Sequence, residues 1–195
     1  MSDGSWTRRR CSLLGLGAIA GALAGGLVDV ARGAGAVGPP AAAAATRRSL
    51  ELKNLHTGEV LKVAFERESG PDPQTLAKLQ HLLRDYRANE EHPIDPALYG
   101  LLVDLAEATG HAARYELISG YRSPRTNEKL HSEGHAVAEH SQHIEGRAMD
   151  VRLIGCELTV LRDAALKAAR GGVGYYPSSN FVHIDTGRVR TWNGR

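Results

Sequence analysis

One segment constrains the fold of this chain more than any other, the eight residues from His143 to Asp150, which read His-Ile-Glu-Gly-Arg-Ala-Met-Asp. Gly146 divides the segment at a point where the backbone can turn freely. From Ala148 to Leu153, apolar and polar residues alternate as they do in a half-buried strand. We therefore expect Asp150 to lie on a rigid strand and His143 to approach it from the preceding loop.

A third metal-binding side chain follows in another alternating run, residues 180–185, which contains His183. A histidine seven residues before an aspartate is common by chance, and a lone histidine is more often a core or surface residue. The third donor on a strand strengthens the hypothesis, because catalytic zinc commonly takes three protein ligands and leaves the fourth position to water. We predict one Zn²⁺ per chain, held by His143, Asp150 and His183, and chemistry of the peptide or amide hydrolysis type.

The two cysteines, Cys11 and Cys156, exclude some other classes of protein. Cys11 lies in a segment that we predict is removed, so neither a disulfide framework nor a thiolate zinc site is expected. The formal net charge of the 195 residues is only +2, which provides no electrostatic argument for a nucleic-acid partner. We expect no nucleic acid, and no membrane association of the mature form.

The N-terminal residues are typical of an export signal. Three arginines at residues 8–10 precede a Gly/Ala-rich apolar run over residues 13–27, and Ala34-Gly35-Ala36 is a small-residue cleavage pattern. The arginines favour export by the twin-arginine route. A membrane anchor is the second interpretation of this segment. We predict a signal over residues 1–36, a linker over 37–47 and a zinc peptidase domain over 48–195, which acts in the periplasm or elsewhere outside the cytoplasm.

The hydrophobic pattern predicts an α+β fold. A hairpin is expected over residues 49–65. Three helices are expected to start at Asp72-Pro73, Asp95-Pro96 and Pro124, and a fourth helix is expected to span residues 157–170. Further strands are expected at residues 115–120, 148–153, 173–176 and 181–185. Helices come first and a small sheet comes late, so a small sheet with helices packed against it is the predicted architecture.

Arg122 belongs to a second group of candidate residues, Ser119-Gly120-Tyr121-Arg122-Ser123, which follows a predicted strand end. A guanidinium there can hold a substrate carboxylate through two hydrogen bonds or stabilise a developing oxyanion. An arginine paired with a structural carboxylate is the simpler alternative. Tyr121 and Ser123 flank Arg122, and we predict that they bind substrate.

Asp185 lies two residues after His183, so the two side chains point to the same face of a strand. It could act as a general base, orient a ligand or bind substrate. It could instead begin the turn at Thr186-Gly187. Ser141 and Gln142, just before the first predicted ligand, are expected to line the cleft and bind substrate, and His140 is placed to line it too.

Three segments are together recognisable: residues 119–124 (Ser-Gly-Tyr-Arg-Ser-Pro), 141–150 (Ser-Gln-His-Ile-Glu-Gly-Arg-Ala-Met-Asp) and 181–185 (Phe-Val-His-Ile-Asp). They resemble the zinc D-Ala-D-Ala peptidase group, which includes lysostaphin-like endopeptidases and the hedgehog signalling domain. Within that group the pattern is similar to the YcbK-like (MepK) murein endopeptidases. Further matching segments, residues 54–59, 85–87, 92–96, 171–177 and 188–192, extend the likeness over roughly residues 48–192.

The resemblance implies zinc ligation by His143, Asp150 and His183, and an Arg122 that binds substrate or an oxyanion. It implies a small antiparallel sheet with helices on one side, and peptidoglycan as substrate, cut at cross-links between diaminopimelic acid residues. Many members of the wider group carry a catalytic base two or three residues before the last ligand, where this chain has Phe181 and Asn180. The alternatives are a D,D- or L,D-carboxypeptidase on the same stem peptide, or a non-catalytic cell-wall-binding module.

Overall fold

The computed structural model of the protein describes residues 46–135 and 137–194. The predicted export signal, residues 1–36, lies outside the described residues, and so does the predicted linker up to residue 45. The first strand of the described residues begins at Arg47, next to the predicted start of the domain at residue 48. Within the described ranges, none of the helices has the length and apolar character needed to cross a membrane.

One mixed sheet organises the part of the chain that the structure describes. Its seven strands are β1 (Arg47–Asn54), β2 (Val60–Glu66), β3 (Arg114–Ser119), β4 (Ala148–Leu153), β5 (Gly172–Tyr176), β6 (Phe181–Asp185) and β7 (Arg190–Asn193). Their order across the sheet is β2-β1-β3-β4-β6-β5-β7. β1 pairs with β3 and β5 pairs with β7 in parallel, and the other neighbours are antiparallel.

The prediction of a small antiparallel sheet is therefore wrong on both size and direction. The two parallel pairs join strands that are separated along the chain by other elements, and such pairing leaves no trace in local periodicity. The four-residue β7 forms one edge of the sheet, with alternating half-buried and exposed residues, and the hydrophobic pattern alone did not predict it. The prediction of a sheet packed with helices is confirmed.

Four helices are present in the described ranges: α1 (Pro73–Leu82), α2 (Ala97–Ala108), α3 (Pro124–Ser132) and α4 (Leu158–Ala168). The predicted start of α1 is confirmed, because the Asp72 side chain accepts hydrogen bonds from the backbone N–H groups of Gln74 and Thr75. Ser123 caps α3 by accepting from the N–H of Thr126. Proline at the first helical position supports both starts.

Two helices end earlier than their apolar patterns indicate. α1 ends at Leu82, and the buried Asp85 beyond it accepts hydrogen bonds from the backbone N–H and hydroxyl of Ser123. α4 ends at Ala168, because Ala169 adopts a left-handed conformation with φ 50°. After α1 the backbone leaves the helix although the apolar residues Leu83 and Tyr86 continue the pattern, whereas α4 is followed by Gly171 and Gly172.

One face of the central strands β4 and β6 packs into the hydrophobic core, and the other face carries the candidate site. Met149, Val151 and Leu153 of β4 are buried in the hydrophobic core, and so are Val182 and Ile184 of β6. Helices α2 and α4 pack against this part of the sheet. Because side chains alternate along a strand, the intervening residues of β4 and β6 point to the opposite face, where the candidate site lies.

Candidate metal centre and its cleft

The sheet register brings two predicted ligands side by side, because Asp150 of β4 pairs directly with His183 of β6. His143 reaches them from the turn that precedes β4. Gly146 makes this turn possible: its φ is +64°, and a Cβ there would lie 2.2 Å from the carbonyl oxygen of Pro93. The three side chains are nearly fully buried and form a possible metal-binding group.

The donor atoms of the three residues are spaced as a tetrahedral metal centre requires. His183 Nδ1 lies 2.9 Å from Asp150 Oδ1, and His143 Nε2 lies 3.3 Å from the same oxygen. The two ring nitrogens are 3.2 Å apart. Zinc bonds of 2.0–2.2 Å in a tetrahedral arrangement separate the donor atoms by about 3.4 Å. The observed spacing is close to this value.

Each histidine ring is oriented by a hydrogen bond from the nitrogen that faces away from the centre. His143 Nδ1 donates to the carbonyl oxygen of Gly120 at 2.7 Å, and His183 Nε2 donates to Asp185 Oδ2 at 3.0 Å. Neither oxygen has a hydrogen to give, so each nitrogen must carry one. In the neutral rings, His143 Nε2 and His183 Nδ1 therefore present lone pairs to the centre, as metal ligands do.

The electrostatics of the group favour positive charge at its centre. Burial lowers the pKa of His143. Burial also acts to lower the pKa of His183, but hydrogen bonds to Asp150 and Asp185 outweigh it and the net pKa is raised. For Asp150, burial acts to raise the pKa, and the adjacent charges and hydrogen bonds of His143 and His183 hold it well below its usual range. Asp150 is thus ionised and able to bind a cation.

Asp185 is completely buried, and both of its carboxylate oxygens are occupied. Oδ1 accepts hydrogen bonds from the N–H groups of Gly172 and Gly187, at 2.9 and 2.8 Å, and Arg190 donates to both oxygens, at 3.0 and 2.7 Å. Burial acts to raise the pKa of Asp185, but the hydrogen bonds from His183 and Arg190 hold it below its usual range. This geometry favours the orienting role over the general-base role for Asp185.

A cleft of about 650 Å³ opens over the three candidate ligands. It is lined by residues of the loop before β4 and of the strand ends around the site: Arg122, Val137, Ala138, His140, Ser141, Gln142, His143, Asp150, Tyr176, His183, Arg190, Trp192, Asn193 and Gly194. The candidate residues Arg122, Ser141 and Gln142 are among them. The side-chain oxygen of Gln142 is buried and has no hydrogen-bond partner among the described residues.

Two predicted substrate-binding residues are not among those that line this cleft. Tyr121 is buried and stacks on His92, with ring centroids 4.7 Å apart. Ser123 is completely buried, where it caps α3 and bonds to Asp85. Both side chains are therefore buried within the fold on either side of Arg122 in the chain, and neither faces the cleft.

Arg122 is a buried cation without an ionic partner in the described part of the chain. Only 8% of its surface is exposed, its Nη1 donates to Asn127 Oδ1 at 3.2 Å, and its Nε has no partner. Burial lowers the pKa of its guanidinium, an effect that the charge of nearby Asp150 opposes. A buried, incompletely bonded guanidinium beside the candidate metal site is suited to an anionic ligand group.

Three further side chains of the site were not identified from the sequence: Tyr176, Arg190 and Trp192. Arg190 holds Asp185 by two hydrogen bonds, and Trp192 Nε1 donates to the hydroxyl oxygen of Tyr176 at 2.9 Å. Arg190 and Trp192 are alternate residues of β7, so recognising that strand would have placed both on one face.

Comparisons with known proteins agree with this site. The family model described as peptidoglycan L,D-endopeptidase MepK matches residues 42–192, a range that includes the three candidate ligands. The peptidoglycan L,D-endopeptidase MepK of Escherichia coli (strain K12) is 48% identical over 169 residues, which cover 85% of this chain and 93% of that protein. The probable peptidoglycan L,D-endopeptidase MepK of Haemophilus influenzae is 43% identical over 148 residues, covering 75% and 80% of the two chains.

Proposed function

Because this chain belongs to the peptidoglycan L,D-endopeptidase MepK family, we propose that it is a zinc-dependent endopeptidase that hydrolyses peptide cross-links of peptidoglycan. The observation that carries the zinc proposal is the convergence of one carboxylate oxygen and two oriented imidazole nitrogens, 2.9–3.3 Å apart, at the floor of the cleft. We propose links between two diaminopimelic acid residues as the substrate, cut at the bond between an L and a D centre.

His143, Asp150 and His183 would hold the zinc ion, because histidine nitrogen and carboxylate oxygen are the donors that catalytic zinc sites use. The ion would supply a Lewis acid that polarises the scissile carbonyl and makes water nucleophilic near neutral pH. The hydrogen bonds to Gly120 and Asp185 fix the ring orientations, so the ligand atoms already point toward one another before metal binds.

Arg122 would bind the substrate. The peptide stem of peptidoglycan carries free carboxylates, and a guanidinium can hold one through two parallel hydrogen bonds. The Nη1 of Arg122 donates to Asn127, which fixes the guanidinium in the lining of the cleft. We propose that Arg122 fixes the position of the scissile bond above the ligands.

His140 is our candidate for the general base. Imidazole and carboxylate groups are the usual general bases, and among the described residues that line the cleft His140 carries the one such group that is not a candidate ligand. Glu145 is exposed and does not line the cleft. Asp185, with both oxygens occupied, would act by orienting His183.

Zinc content distinguishes the orienting role of Asp185 from the general-base role of His140. Asp185→Asn should lower zinc affinity by about 10–100-fold, the usual cost of losing the partner that orients a metal-binding histidine. His140→Ala should keep zinc and lose turnover by about 10²-fold, with partial rescue by added imidazole. His135→Ala is the matched control, because His135 lies in the same loop, is about 60% exposed and does not line the cleft. Full turnover in His140→Ala would exclude His140 as the base.

A digest of purified cross-linked muropeptides tests the reaction class. An endopeptidase converts dimers to monomers, a carboxypeptidase removes a terminal residue from the stem, and a binding module leaves both unchanged. We expect conversion of dimers to monomers; terminal trimming alone would contradict it. We also propose that the chain acts outside the cytoplasm, where peptidoglycan lies, and cell fractionation of the mature form checks this location.

A further inference from the structure

The hydroxyl of Tyr176 is a polar group beside the metal centre that the proposed chemistry does not use. Tyr176 ends β5, and it lies on the same face as Gly174, which pairs with His183 in the neighbouring strand. Its ring stacks on Phe181 with centroids 4.4 Å apart. Tyr176 thus lines the cleft on the side of His183.

Trp192 holds this tyrosine in place. The register aligns Trp192 of β7 with Gly174 of β5, and Gly174 with His183 of β6, so these three residues form a row across one face. A Cβ on Gly174 would lie 2.6 Å from two ring carbons of Trp192, so glycine is required for the indole to cross β5. The indole reaches within 5.1 Å of the His183 ring, centroid to centroid.

The hydrogen bond between Trp192 and Tyr176 leaves the hydroxyl hydrogen of Tyr176 without an acceptor in the described part of the chain. The indole N–H can only donate, so at 2.9 Å the Tyr176 oxygen must be the acceptor. The hydroxyl hydrogen of Tyr176 is then free, and among the described residues no acceptor lies within hydrogen-bonding distance of it. A cleft-lining hydroxyl with a fixed oxygen and a free hydrogen can donate a hydrogen bond to a bound molecule.

We propose that Tyr176 is a further catalytic residue, whose hydroxyl donates a hydrogen bond to the carbonyl oxygen of the scissile peptide as that oxygen gains negative charge. Trp192 is a positioning residue that acts through Tyr176. The inference rests on the proposed function, since it requires a peptide carbonyl to be attacked in this cleft. Hydrolysis consumes one water and yields one carboxylate and one amine, and Tyr176 keeps its proton throughout.

Tyr176→Phe tests the role of the hydroxyl, because it keeps the ring stack on Phe181 and removes the hydroxyl alone, both its free hydrogen and the oxygen that accepts from Trp192. We expect kcat to fall by about 10²-fold, the usual effect of losing one oxyanion donor, with KM and bound zinc unchanged. Tyr175→Phe is the matched control, because Tyr175 lies on the opposite face of β5, under the guanidinium of Arg162. Removal of the Tyr175 hydroxyl should leave kcat unchanged.

Trp192→Phe should lower kcat in the same direction. In the double variant with Tyr176→Phe, kcat should fall no further than in Tyr176→Phe alone, because the indole acts through the hydroxyl. If the two effects multiply instead, Trp192 has a role of its own and the positioning argument is wrong.

Binding of a phosphinate analogue of the cross-link peptide provides a second readout that does not depend on turnover. The phosphinate presents a charged tetrahedral group, so its affinity, measured by calorimetry, should fall by about 10²-fold in Tyr176→Phe. A raised KM with unchanged kcat, or unchanged kcat and phosphinate affinity, would overturn the proposal. An inactive wild type in the same digests would overturn the proposed function itself, whereas an active wild type with a fully active Tyr176→Phe overturns only the role of Tyr176.

Discussion

His183→Ala should abolish stoichiometric zinc binding and lower the cleavage of cross-linked muropeptides by about 10³-fold or more, since the Lewis acid contributes several kcal/mol to catalysis. The substitution removes one of three converging donor atoms and also the link between Asp150 and Asp185. Two remaining ligands do not form the three-residue set that catalytic zinc sites use. Elemental analysis of the purified protein and a quantified digest measure the two effects.

His81→Ala is the control for this substitution. His81 is about 55% exposed on α1, pairs with Glu59 and Glu91, and does not line the cleft. It should keep both zinc and activity. Equal zinc in wild type and His183→Ala would show that His183 is not a ligand, whatever the activity of the variant.

Arg122→Lys should lower kcat/KM by about 10³-fold, the upper end of the range for losing one electrostatic contact in the transition state, while zinc content stays the same. Lysine retains the positive charge but loses the planar fork that holds a carboxylate with two hydrogen bonds. It also loses the guanidinium nitrogen that donates to Asn127 Oδ1, so the ammonium would have no fixed position where Arg122 is only 8% exposed. Steady-state kinetics on one defined muropeptide dimer provides the comparison.

The control for Arg122 lies three residues away. Arg125 is 78% exposed and only loosely paired with Glu90, at 3.6 Å, so Arg125→Lys should leave kcat/KM and zinc unchanged. Near-wild-type kinetics for Arg122→Lys would show that charge alone suffices at this position. The fixed guanidinium would then have no part in placing the substrate.

The grouping of His143, Asp150 and His183 could be predicted from the sequence because each of them lies in a short segment with a recognisable local pattern. Asp150 and His183 each lie in a short alternating run, and alternation determines which residues share a face of a strand. Gly146 marks the turn that returns His143 to the start of β4. Only the direct pairing of β4 with β6 had to be supplied by the structure.

The surroundings of the centre could not be predicted in the same way, because they depend on pairings between distant segments. Asp185 was expected on the face of His183, but the hydrogen bonds from Gly172 and Arg190 that occupy its oxygens require β5 and β7 to lie beside β6. The contact of Trp192 with Tyr176 has the same origin. Residues close to Arg122 in sequence were expected to share its role, yet Ser123 is a helix cap.

Removal and restoration of the metal is the most direct test of the central proposal, that cross-link hydrolysis depends on a zinc ion held by His143, Asp150 and His183. The wild-type protein is incubated with cross-linked muropeptide dimers as purified, after exhaustive chelation, and after one equivalent of zinc is returned. We predict conversion of dimers to monomers in the first and third samples and none in the second. Equal conversion in the chelated sample, confirmed to be metal-free by elemental analysis, would contradict the proposal.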